Sequence, residues 1–78
     1  MLGSLRKGER ARVESVDAST PFGRRLVELG FAPGTEVLAL GSAPLGDPLL
    51  FELRGARLSL RRSEADRVRV VPLEAGPE

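Results

Sequence analysis

Neither histidine nor cysteine occurs among the 78 residues, so the usual general base and the thiolate nucleophile are both missing. Lys7 is the single lysine among twelve basic residues, and no serine has the lysine-activated arrangement of a nucleophile. No glycine-rich phosphate loop is present. The eleven carboxylates include no Asp/Glu-x-x-His pair, which leaves transition-metal ligands of suitable softness absent. Asp47 and Asp66 read as turn and cap residues. The expectation is a protein that is not an enzyme, has no cofactor and holds no resident metal. What remains is recognition chemistry. Arg24, Arg25 and Glu28 fall within one turn-and-a-half of a short helix, either as an exposed Arg25–Glu28 pair or as the charged rim of a docking face. Leu45 lies between Pro44 and Gly46, either as an isolated surface leucine or as an apolar anchor for a partner. Arg61 and Arg62 could meet an anion, but their place in a short link favours a solvated or carboxylate-paired role.

These residues need a scaffold, and the length allows only one. A chain of this size buries about 60% of its unfolded surface around a single core. Without disulfides it must rely on packing and on protected sheet edges. The lack of cysteine fits a reducing cytosol. No apolar run approaches the roughly 20 residues of a membrane helix, and the Met-Leu-Gly-Ser-Leu start lacks a signal-peptide core. A net charge of +1 gives weak attraction for a polyanion, and three Phe are the only aromatics. Phe22 and Phe51 are expected in the core, which leaves little stacking surface for nucleic acid.

The positioning elements follow from periodicity and punctuation. Ala11 and Val13 alternate with Arg10, Arg12 and Glu14 in a first strand, and Val16 is out of phase, as at a bulge or a strand end. Thr20 as N-cap with Pro21 at N1 opens a helix with Phe22, Leu26 and Leu29 along its apolar stripe. Gly30 closes it at the C′ position, and Pro33-Gly34 turns into a second strand from Glu36 to Gly41. Ser42 to Pro48 reads as an exposed connection. Leu49, Phe51 and Leu53 then point inward on a third strand, Arg54-Gly55 forms a hairpin turn, and Ala56, Leu58 and Leu60 point inward on a fourth. Residues 61–66 form one helical turn before a last strand, Arg67 to Val71, that Pro72 stops. The expected fold is mainly β: a small, bent barrel of about five antiparallel strands with one inserted α-helix and a one-turn helix before the last strand. One domain over residues 1–73 and a flexible tail over 74–78 are expected.

The order of motifs resembles the ferrous iron transport protein A family (FeoA). The carrying residues are Leu5-x-x-Gly8, Ala11-x-Val13-x-x-Val16, Arg25-Leu26-x-Glu28-Leu29-Gly30-Phe31-x-Pro33-Gly34, Gly46-Asp47-Pro48 and Leu58-x-Leu60-Arg61-Arg62-x-Glu64-Ala65. The resemblance implies an SH3-like domain that acts by protein–protein interaction in bacterial ferrous iron uptake. It also implies a partner, a membrane ferrous-iron transporter with a cytoplasmic GTPase domain, and a cytoplasmic location with recruitment to the inner face of the membrane. Leu45 would then be the partner anchor and Arg24, Arg25 and Glu28 the rim. With Met1 only seven residues ahead of Gly8, a stand-alone accessory is the expected form. Two alternatives stay open: an RNA- or DNA-binding small barrel, and a regulatory module related to the C-terminal domain of metal-dependent repressors. Homo-oligomer formation is also left open, and no nucleic acid is expected.

Overall fold

The structure, a computed structural model, describes residues 1–73. The proposed 74–78 tail lies outside the described residues. A 3₁₀ turn, Leu2–Ser4, precedes β1 (Arg10–Val16), α1 (Pro21–Glu28), β2 (Glu36–Ser42), β3 (Leu49–Leu53), β4 (Ala56–Leu60), α2 (Arg62–Ala65) and β5 (Val68–Pro72). All five strands join one antiparallel sheet in the order β4-β3-β2-β1-β5.

Both irregularities in the sheet have local causes. Val13 is buried and Val16 packs against the same core, a spacing of three that period two cannot satisfy. The register between β1 and β5 shifts between Val13 and Ser15, which brings Val16 opposite Val68. A second shift lies between Ala39 and Gly41, where Gly41 takes φ +124. The β3–β4 turn is a two-residue one: Leu53 pairs with Ala56, and both Arg54 and Gly55 have positive φ, as a type I′ turn requires.

Helix α1 begins and ends by side-chain and backbone chemistry visible in the sequence. Thr20 Oγ1 accepts the Gly23 N–H at 3.0 Å. At the other end the Gly30 N–H donates to Val27 O at 3.0 Å and the Phe31 N–H to Leu26 O at 3.1 Å, the paired bonds of a Schellman motif around a Gly30 with φ +122. That reversal corrects part of the expected stripe. Leu29 is 41% exposed, whereas Phe31 turns inward and is fully buried beside Leu26. A Schellman turn carries the C″ residue back over the helix, so Phe31 occupies the space that continued helical periodicity would give to Leu29.

The core unites Val13, Leu26, Phe31, Val37, Ala39, Leu49, Phe51, Leu53, Leu60, Ala65 and Val68. Phe31 and Phe51 meet edge to face with centroids 6.3 Å apart. Phe22 is half-buried against this core, with the Arg67 guanidinium 4.9 Å from its ring centroid. Leu2 is fully buried too, a core residue that its place in an unpatterned N-terminal stretch conceals. Ala56, expected inward, is exposed because it sits at the hairpin tip beyond the edge of the core; Leu58 is half-buried and Leu60 buried.

Candidate docking site

The Ser42–Pro48 connection leaves β2 and enters β3 as a tight, self-bonded loop. Ala43 N–H donates to Pro48 O at 2.9 Å, and Gly46 N–H donates to Ala43 O at 2.8 Å. The inner bond defines a β-turn over Ala43–Gly46, with Pro44 at the position where its fixed φ is favourable and Leu45 next at the tip. Gly46 follows with φ +89. The side chain at the tip therefore has no neighbour to pack on, and Leu45 is 96% exposed.

An apolar tip contributes nothing to holding its own loop, so other groups must. Leu49 pairs with Leu60, which brings the loop's exit beside the start of α2. There the Arg62 N–H donates to Asp47 Oδ1 at 2.9 Å, while Arg62 Nη1 donates to Gly3 O and Nη2 to Gly46 O, each at 3.1 Å. The adjacent Arg61 N–H donates to Glu64 Oε1 at 2.9 Å, half of a capping box that starts α2. Arg62 thus pairs with backbone carbonyls. The residue is exposed, as the solvated alternative expects, but its guanidinium is fixed on two backbone carbonyls rather than on a carboxylate, because two oxygen acceptors converge at the spacing of its fork.

Beside the loop runs an open groove of about 370 Å³ lined in part by Leu5, Leu40 and Leu49, with Lys7 and Arg62 as its charged residues. Among the described residues no carboxylate lines it. Among the described residues the ion pairs are Glu52–Arg57 and Glu14–Arg69, so neither Lys7 nor Arg62 is neutralised by one. Lys7 escaped the sequence reading because its groove forms only when the residues before β1 lie along β2.

Arg24, Arg25 and Glu28 are all exposed on α1, and Arg25 and Glu28 do not form the ion pair that their spacing allows. The structure does not join them to Leu45. Helix α1 packs on β1, and its end at Gly30 faces Leu53, because a Cβ at Gly30 would stand 3.0 Å from Leu53 Cδ1. The loop enters β3 at Leu49, the opposite end of a five-residue strand about 13 Å long. The helix's C-terminal end and the loop's exit thus lie toward opposite ends of β3.

The start of α1 is tied to the preceding turn. Asp17 Oδ1 accepts the Ser19 hydroxyl at 2.5 Å and the Ser19 N–H at 3.0 Å. The Ser19 hydroxyl bond and then the Ser19 backbone bond hold the Asp17 carboxyl below its ordinary range, helped by the positive charge of Arg67. Gly23 closes this joint: a Cβ there would lie 1.8 Å from Asp17 O. Among the described residues no three His, Cys, Asp or Glu side chains are grouped to hold a metal ion, and no helix is long and apolar enough to cross a membrane.

Comparison with known proteins places this arrangement. The fusion protein of Fe(2+) transport protein A and Fe(2+) transporter FeoB from Porphyromonas gingivalis is 32% identical over 69 residues, 88% of this chain and 8% of the fusion. The solution structure of iron(II) transport protein A from Clostridium thermocellum is 35% identical with a TM-score of 0.85, over 92% of this chain and 44% of that one. The chain thus spans less than half of either relative. Stenotrophomonas maltophilia FeoA, a prokaryotic SH3-domain protein crystallised with zinc, is 44% identical over 88% of this chain and 86% of its own, with a TM-score of 0.77. A manganese-dependent transcriptional repressor shares the fold, with a TM-score of 0.80 at 20% identity over 36% of its length. The FeoA domain model matches residues 1–72, and the chain belongs to the FeoA family.

Proposed function

We propose that this domain is an accessory of bacterial ferrous iron uptake, without catalytic chemistry of its own, that docks on the cytoplasmic GTPase-bearing part of a membrane ferrous-iron transporter. The observation that carries this reading is Leu45, a large apolar side chain 96% exposed at the tip of a loop held by hydrogen bonds. A preformed apolar tip inserts into a pocket at low ordering cost. Lys7, in the groove that adjoins the loop, fits a pocket rimmed by a carboxylate, while Arg24, Arg25 and Glu28 form a further charged patch with a smaller share of the affinity. The P. gingivalis fusion supports such an association, since one chain there carries both a transport protein A part and a FeoB part. Recruitment of the domain to the inner face of the membrane follows from this partner.

Calorimetric titration against the transporter's cytoplasmic region, and against the intact transporter in detergent, tests the reading at two salt concentrations. Saturable binding that weakens modestly with salt is expected, since the anchor is apolar and only the rim is charged. Absence of binding to both, or tight and steeply salt-dependent binding to RNA instead, contradicts it.

A further inference from the structure

We infer that Arg62 is the positioning residue of the Leu45 loop, fixing the loop's shape by fastening it to the N-terminal turn; the inference rests on the docking reading above. Its three bonds all reach across the chain, to Gly3, Gly46 and Asp47. Apolar burial gives the tip of the loop no order, because Leu45 is in water and Pro44 and Pro48 are exposed; Ala43, at the loop's start, is half-buried. Gly46, with φ +89, is half-buried, and nothing lies within 4 Å of the position a Cβ would take. Two backbone bonds inside the loop, the Asp47 carboxylate on the Arg62 N–H and the Arg62 fork are therefore what select one conformation from the many that a Pro-Leu-Gly tip can adopt.

The fork also makes the loop and the N-terminal turn one unit. Gly3 O and Gly46 O lie 43 positions apart in sequence, yet each receives one nitrogen of the same planar group. Leu2, fully buried beside Gly3, anchors that unit to the core. Loss of the guanidinium leaves both carbonyls to water and lets the tip sample other shapes, which lowers affinity by the fraction of time the docking shape is absent.

Amide hydrogen exchange on the full chain is the test, with Arg62→Met keeping the apolar stem and Arg62→Lys keeping the charge. In Arg62→Met the Ala43 and Gly46 amides should exchange about tenfold faster while the β3 amides keep their wild-type rates. Arg62→Lys should fall between Met and wild type, and Leu45→Asp should leave all these rates unchanged. Affinity for the transporter's cytoplasmic region should drop about fivefold in Arg62→Met, and Arg62→Met added to Leu45→Asp should weaken binding no further than Leu45→Asp alone. Wild-type exchange at Ala43 and Gly46 in Arg62→Met overturns the inference, as does faster exchange that rises equally in β3. Faster loop exchange in a protein whose wild type does not bind the transporter sustains the loop fastening and rejects the docking reading.

Discussion

The joint at the start of α1 and the Leu45 loop are both short connections closed by a handful of hydrogen bonds, but they treat their apolar residues in opposite ways. At the joint, Phe22 turns back onto the core under the Arg67 guanidinium, and Gly23 leaves room for the Asp17 carbonyl. At the loop, Leu45 projects into water, and hydrogen bonds hold the backbone around it. The contrast shows where stability and recognition reside. A connection built around burial fails by unfolding when it is altered, whereas one built around a displayed side chain should lose affinity and keep its fold.

The largest effect should come from Gly23→Ala. A methyl group placed 1.8 Å from the Asp17 carbonyl oxygen forces the helix away from its turn, and a loss of about 3 kcal/mol or more is expected in denaturant unfolding. Gly30→Val comes next. It strains a residue at φ +122 and presses on Leu53, so a loss of about 1–2 kcal/mol is expected by the same measurement. If Gly23→Ala unfolds at the wild-type midpoint, the joint is not the rigid half of the comparison; if Gly30→Val does, the helix does not end in the strained turn described.

A smaller effect concerns acid. Asp17 has its carboxyl held below the ordinary value of 3.8 in the folded chain, so its contribution is fully present above that value and is lost as pH falls through the lowered one. Asp17→Asn should therefore reduce stability slightly near neutral pH, and the difference from wild type should fade on acidification. Parallel melting curves from pH 7 to pH 2 check this. A gap that stays constant down to pH 2 would show that the carboxylate's charge plays no part.

Much of this division was legible in the residues themselves, because it rests on local rules. Thr20, Pro21 and Gly30 mark the bounds of α1 through capping chemistry, and Arg54-Gly55 marks the tightest turn. Leu45 stands out by being apolar between two turn formers. The partners that give these features meaning lie far along the chain. Gly3 meets Arg62 across 59 residues, and Leu2 is buried by neighbours from β5 and α2, so neither follows from a window of adjacent residues. Phe31 and Leu29 exchange roles for a similar reason, since periodicity stops at the Schellman turn while burial continues past it.

The central claim is that Leu45 is displayed for a partner and contributes nothing to the fold, and one paired measurement reaches it most directly. Leu45→Asp is compared with wild type for melting temperature and, by titration calorimetry, for affinity toward the cytoplasmic region of the ferrous-iron transporter. A side chain 96% exposed predicts an unchanged melting temperature, and an anchor predicts a loss of about 1–2 kcal/mol or more in binding. Unchanged affinity with an intact fold would contradict the claim.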